Sequence, residues 1–247
     1  MEIRTSCPEC GSVNCKKNGH IHCNGKQNNL CNDCGRQFVA EFEQRIVSDD
    51  DRNRVKRLLA ERVSLRGICR VIGVGMKWLM GFIEECYNEA PEDLHARVPE
   101  SASPVIFRRV KAEADELLSF VQNKANKQWQ WLAIDANTSE AIAYYVGDRS
   151  KDSARAFWDK IPPVYQESAT FFTDGYAGYK GVIPEARHRV VTKASRLTNH
   201  VERLNCTLRQ RVSRLVRSTL SFSKKLENHI GAIRYFLCQY NLELTRA

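Results

Sequence analysis

Two carboxylates stand where chemistry on a polyanion would need them. Ala169, Phe171 and Phe172 read as a short apolar strand running into Thr173-Asp174-Gly175, so that a carboxylate sits at a strand end just where the chain must turn. Glu202 follows on a predicted helix, and it is the only acidic residue between Arg187 and Lys225, a stretch that carries eleven Lys and Arg. Two readings of Glu202 compete. Asn199-x-x-Glu202 fits a capping box, with Asn199 as the cap and the carboxylate reaching back to a backbone N–H. Alternatively Asp174, Glu202 and a third, upstream carboxylate hold divalent metal ions, while the basic residues around them hold the polyanion acted upon.

A second constellation lies at the start of the chain. Cys7-Pro-Glu-Cys10 and Cys31-Asn-Asp-Cys34 are two Cys-x-x-Cys knuckles separated by twenty residues, each followed by a glycine that can close a tight turn. Four thiolates so spaced suit a tetrahedral structural zinc. Cys15, Cys23, His20 and His22 lie between the knuckles and are read as spectators, because four cysteines already close such a site. So short and polar a segment lacks a core of its own, and metal would supply its folding energy.

Elements must be found to carry these groups. Residues 1–45 form the expected zinc module. Residues 46–90 read as a helix-turn-helix module: Val55, Leu58 and Leu59 on a first helix, Leu65, Ile68 and Val71 on a short second one, a break at Gly73 and Gly75, then a helix from about Met76 to Cys86 with Trp78, Leu79, Phe82 and Ile83 inward. Arg66, Arg70 and Lys77 are its first candidate DNA contacts. Residues 91–104, with Pro91, Pro99 and Pro104, read as a linker. Residues 105–247 carry a strand from Val110 to Val121 that contains Asp115-Glu116, a hairpin of Trp129–Ile134 and Ala141–Val146, a helix from Lys151 to Lys160, the Phe171 strand, a strand from Arg187 to Thr192, and two long helices. That order predicts a ribonuclease-H-like α/β domain, and the whole a multidomain α+β protein. Asp135 and Asp148 read as turn acids, His200 as structural, and Trp129, Trp131 and Trp158 as core.

Composition narrows the partners. The chain has 247 residues and a net charge of +9, which favours a polyanion such as nucleic acid. No apolar run has the roughly eighteen residues of a membrane span, and the N-terminal stretch has no signal-peptide character, so a protein that stays in the cytoplasm is expected. In that compartment the ten cysteines point to metal or burial and not to disulfides.

The motifs Asp115-Glu116-Leu117-Leu118-Ser119-Phe120-Val121, Trp129-Gln-Trp131, Gly147-Asp148-Arg149, Thr173-Asp174-Gly-Tyr-Ala-Gly-Tyr179, Glu202-Arg203-x-Asn205 and Ser221-Phe222-Ser223-Lys224, in this order, resemble the bacterial insertion-sequence-one family of transposases. The resemblance implies a DNA transposase with an acidic triad at Asp115, Asp174 and Glu202. Such an enzyme would use Mg2+ or Mn2+, bind terminal inverted repeats, cleave at the element ends, join 3'-hydroxyls to target DNA, and act as a homo-oligomer on double-stranded DNA. Periodicity does not choose between Asp115 and Glu116; the resemblance chooses Asp115. Asn205 and Arg209 share the helix face of Glu202, the one to orient a carboxylate and the other a phosphate. Arg203, Arg211, Arg214 and Arg217 complete the expected phosphate contacts. Two alternatives remain: a metal-dependent nuclease of the same fold, and a zinc and helix-turn-helix repressor without catalysis.

Overall fold

The computed structural model describes residues 6–21, 25–39, 47–97, 110–215 and 223–246. It divides into two compact units, residues 1–48 and 49–247, with a mixed α+β composition.

The first unit holds β1 (Cys15–His20), β2 (Gln27–Cys31) and β3 (Gln37–Phe38) in an antiparallel sheet of order β1-β2-β3. The two knuckles are copies of one turn. Gly11 N–H donates to Cys7 O at 2.9 Å and Gly35 N–H to Cys31 O at 3.0 Å. Both glycines have positive φ, 71° and 74°, a conformation that a Cβ would strain.

The second unit begins with α1 (Asp49–Leu59), α2 (Leu65–Ile72) and α3 (Met76–Glu89). Ser64 caps α2 by accepting from Gly67 N–H, and Gly73, at φ 75°, ends it in the left-handed conformation. The buried stripe of α2 is Ile68 and Ile72, one helical turn apart, whereas Val71 is 72 % exposed; the expectation that Val71 faces inward is corrected. Glu92 of the segment read as a linker pairs with Lys160 and Arg234, Leu94 is wholly buried, and Arg97 pairs with Glu140, so this described stretch packs as a strap.

The sheet of this unit comprises β4 (Lys111–Phe120), β5 (Lys127–Asp135), β6 (Ala141–Gly147), β7 (Thr170–Thr173) and β8 (His188–Val190), in the order β6-β5-β4-β7-β8. The first three strands form an antiparallel meander, while β7 lies parallel to β4 and β8 parallel to β7. The crossover from β6 to β7 contains α4 (Lys151–Lys160) and α5 (Pro163–Ser168). After β8 come α6 (Asn199–Arg211) and α7 (Leu226–Leu244).

Both faces of the sheet are covered, which is why β4 shows apolar residues in both registers. On one face Leu117 and Leu132 join α1, α2, α3, α6 and α7 in a single core; on the other Ala112, Ala114, Trp131 and Ala133 pack against α4 and α5. Trp131 is fully buried as expected, while Trp129 and Trp158 are partly so. Helices α3 and α7 approach so closely at Gly231 that a Cβ there would lie 2.7 Å from the Tyr87 ring.

A buried polar chain fastens α7 to the sheet. Ser119 Oγ lies 3.0 Å from Gln128 O and 2.9 Å from His229 Nε2, and His229 Nδ1 lies 3.0 Å from Ser223 Oγ, which accepts from Arg214. One tautomer satisfies every member: Nε2–H donates to Ser119, and Nδ1 accepts from Ser223. Burial, with Arg214 nearby, pushes the imidazole down to about 4.

Candidate functional site

Strand register brings the first two carboxylates together. Along the parallel β4–β7 pair, Ala114 is the partner of Thr173. One further step on each chain reaches Asp115 and Asp174, side by side on strands about 4.8 Å apart. Asp174 lies just past the end of β7, where Tyr176 N–H donates to its Oδ1 at 3.0 Å.

Helix α6 brings the third. Glu113, 2 % exposed, accepts from His200 N–H at 2.8 Å, from Val201 N–H at 2.9 Å, and pairs with His200 Nδ1 at 2.7 Å. A buried carboxylate thus serves the unpaired N–H groups at the start of α6. One turn on, Asn205 Nδ2 donates to Asp115 Oδ2 at 2.8 Å. The two anchors match in length: two residues of strand rise about 6.7 Å, and the four helical residues from Val201 to Asn205 rise about 6 Å. Glu202 is held between them.

The capping box expected at Asn199 does not form as drawn. Thr198 is the N-cap residue, Asn199 is the first residue of the helix, and the Thr198 hydroxyl donates to Glu202 Oε1 at 3.0 Å. Glu113 performs the capping from the neighbouring strand, so the Glu202 side chain is not needed for it.

Asp115, Glu116, Asp174, Thr198, Glu202, Asn205, Cys206 and Arg209 line one cleft of about 280 Å³. Burial holds the Asp115 carboxyl above its ordinary range, and the charges of Asp174 and Glu202 add to that. Such mutual repulsion is what a bound cation relieves, and an all-oxygen donor set suits a hard divalent ion. The cleft carboxylates do not all converge within 4.8 Å. Among the described residues that closeness is reached by the ligand atoms of Cys7, Cys10, Cys31 and Cys34.

The neighbours Asp115 and Glu116 diverge, as adjacent strand residues must. Asp115 points towards α6, whereas Glu116 pairs with Arg149 at 3.1 Å on the other face. Glu116 is buried, which pushes its carboxyl up to about 7. Its Oε1 and the fully buried Tyr179 hydroxyl have no hydrogen-bond partner of ordinary geometry.

A family model described as IS1 transposase matches residues 109–242. The chain belongs to the IS1 transposase family. Insertion element iso-IS1n protein InsB of Shigella dysenteriae is 33% identical to it over 125 residues, 51% of this chain and 92% of that protein. Insertion element IS1 2 protein InsB of Escherichia coli (strain K12) is 31% identical over 147 residues, 60% of this chain and 83% of that protein. The protein is therefore a transposase, a DNA-processing enzyme, and the matched region contains the whole carboxylate cleft.

The transposase's basic candidates separate into groups. Arg66, Arg70, Lys77 and Arg203 are exposed, and Arg209 lines the cleft. Arg211 is different: it is clamped by Glu61 at 2.7 Å and Glu243 at 2.9 Å, with its guanidinium over the Phe236 ring. Its charge is paired within the fold, so a phosphate there would compete with Glu61 and Glu243. Arg214 serves the buried Ser223–His229 chain. Arg217 lies outside the described residues, as do His22, Cys23, Ser221 and Phe222. Asp135 accepts from Asn137 N–H and the Tyr165 hydroxyl, and Asp148 accepts from Ser150 and Ser153, consistent with turn and cap roles. In the first unit, Cys15 Sγ donates to Ser12 O, outside the cysteine quartet.

Glu113 and Thr198 were not singled out by spacing. A signal for Glu113 existed: it lies two residues before Asp115, hence on the same strand face. Among the described residues no helix is long and apolar enough to cross a membrane.

Proposed function

We propose that the transposase cleaves the ends of its element and joins their 3'-hydroxyls to target DNA at the cleft of Asp115, Asp174 and Glu202. One observation carries this: three carboxylates from a central strand, the end of its parallel neighbour and a following helix line a single cleft, with Asn205 tied to Asp115. The strand order, with a three-stranded meander and two further parallel strands, supports a ribonuclease-H-like reading of residues 105–247. A pair of divalent ions bound there, Mg2+ or Mn2+, would activate the attacking oxygen and stabilise the leaving one.

The chain's own residues do the rest. Glu113 fixes the start of α6, Asn205 orients the Asp115 carboxylate, and Thr198 holds Glu202 back until a cation competes for it. Arg209, at the cleft wall, offers a phosphate a charged donor. Arg203 and the exposed Arg66, Arg70 and Lys77 extend that contact along DNA, with α2 and α3 read as a helix-turn-helix.

The cysteine quartet takes zinc. Sulfur pairs Cys7–Cys34 and Cys10–Cys31 lie 3.6 Å apart, close to the edge of about 3.8 Å that a tetrahedron with Zn–S bonds of about 2.3 Å requires. Without a cation the thiols share their charge unevenly: backbone N–H groups of the second knuckle lower Cys31, while neighbours in the quartet raise Cys34 and Cys10, a crowding that a bound metal relieves. Acting on two ends at once calls for more than one chain, so a homo-oligomer on DNA completes the reading.

The test is Mg2+-dependent cleavage of a terminal-repeat duplex, followed by strand transfer with pre-cut ends. Wild-type protein should do both, and Asp115→Asn neither. Cleavage without transfer would make the protein a nuclease, and DNA binding without either would make it a repressor.

A further inference from the structure

Arg149, in the turn between β6 and α4, is held as few surface arginines are. Its guanidinium carbon lies 4.4 Å from the Trp129 ring centroid and 4.0 Å from that of Tyr176. One terminal nitrogen pairs with Glu116 at 3.1 Å, and the Tyr176 hydroxyl donates to the Arg149 carbonyl. The Tyr176 ring can lie there because residue 178 is glycine: a Cβ would come within 2.2 Å of it. With two rings within 4.4 Å of the guanidinium and one nitrogen taken by Glu116, 39 % of the side chain is still exposed.

Two of the three supports of this arginine adjoin a carboxylate of the cleft. Glu116 follows Asp115 on β4, and Tyr176 N–H holds Asp174. The cleft carries negative charge and must nonetheless receive a phosphodiester, so a cation held one contact away from it, on Glu116 and Tyr176, has a task that the acids create. A planar guanidinium already immobilised between rings loses little freedom on closing a fork on phosphate oxygens. Arg209 lines the cleft from α6; Arg149 is outside that lining and is joined to it through Glu116.

We propose that Arg149 grips a non-bridging phosphate oxygen of the DNA strand next to the scissile bond, and so sets the register of that strand in the cleft. The inference rests on the reading of the cleft as the cleavage site. The rival is a clip that only joins the turn to β4 and β5.

The test is a double-mutant cycle between the protein and single phosphates, read as binding without divalent metal so that cleavage is not needed. Full-length protein is titrated by anisotropy with terminal-repeat duplexes carrying one uncharged methylphosphonate at successive positions. For wild type, one or two positions beside the cleavage point should cost about tenfold or more in affinity, the worth of a charge-assisted hydrogen bond. For Arg149→Gln and Arg149→Met those same substitutions should cost nothing further, while all other positions behave as in wild type. An unchanged profile in both variants, or coupling confined to phosphates a helical turn or more from the cleavage point, would overturn the proposal. Should both uncharged variants lose their near-UV dichroism, Arg149→Lys replaces them. It keeps a cation without the fork, the same phosphate should then count for less than in wild type, and full retention of its effect would overturn the fork. Coupling at the expected phosphate in a protein that never cleaves with Mg2+ would instead condemn the reading of the cleft.

Discussion

The two donor clusters of this transposase are built in opposite ways. The cysteine quartet is assembled from two turns of like design, each closed by a glycine of positive φ, and its ligand atoms already lie within 4.8 Å of one another. The carboxylate cleft draws on β4, the end of β7 and α6, and its acids stay further apart. Soft thiolates in a small unit need metal as their core, so the site and the fold are one thing. Hard carboxylates repel and are held in place by a large core that exists without them. Removing the ligand atoms should therefore break the fold in the first case and only the chemistry in the second.

The largest effect is expected at the quartet. Cys7→Ser, or a strong chelator, should abolish the structure of residues 6–39 while residues 49–246 keep theirs, because metal binding and folding are linked in so small a unit. Zinc content by elemental analysis and amide dispersion by NMR check this together, and a folded first unit without zinc would erase the contrast. Sequence-specific end binding should go with it.

At the cleft, Asp115→Asn, Asp174→Asn and Glu202→Gln should each lower cleavage by about a thousandfold or more and leave the melting temperature near that of wild type. DNA binding should hold or tighten as a negative charge is lost. Glu116→Gln should cost less, since Glu116 faces Arg149 and not α6. Cleavage kinetics beside a gel shift on the same duplex decide it; a dead Glu116→Gln with an active Asp115→Asn would invert the assignment of faces.

That contrast also explains what could be read from the sequence. The quartet is written in local spacing, and the knuckles formed where Cys-x-x-Cys-Gly placed them. The helix read from Lys151 to Lys160 has those bounds in the structure, because the face of Ala154, Phe157 and Trp158 is a local signal. The cleft was legible only in part. Asp174 at a strand end and Glu202 alone in a basic run stood out, but the choice of Asp115 over Glu116 depends on which face α6 covers. The pairing of Arg211 is illegible for a related reason: its partners Glu61 and Glu243 are distant in sequence. Val71 misled because a helix of two turns leaves the phase of its stripe poorly defined.

Glu113 sharpens the comparison, since it holds the cleft in place without lining it. Glu113→Gln keeps the size of the side chain but offers one acceptor oxygen where three donors converge. It should cost about 1–3 kcal/mol in urea unfolding and raise the Mg2+ concentration needed for half-maximal cleavage, because Glu202 rides on the loosened start of α6. Glu113→Ala should be worse in both. Loss of stability with an unchanged metal requirement would mean that α6 is positioned by Asn205 and packing alone.

The smallest effect expected is a pH dependence that nearly cancels. The large unit buries titratable groups that the small unit lacks, and two of them shift in opposite senses. His229, pushed down to about 4 by burial, binds its proton more readily when unfolded, so its contribution is complete above an ordinary histidine value near 6.5 and is lost as pH falls towards 4. Glu116, pushed up to about 7 by burial, binds its proton more readily when folded, so the cost of its buried charge disappears as pH falls from 7 towards 4.5. Each shift is worth on the order of 3 kcal/mol, and between pH 6.5 and 4.5 their slopes oppose. Urea midpoints in buffer without added Mg2+ should therefore change little for wild type across that window. Glu116→Gln removes the larger shift opposing His229, so its midpoint should fall on acidification. His229→Gln removes the larger shift opposing Glu116, so its midpoint should rise. Parallel profiles for the two variants would show that neither group titrates in a buried setting.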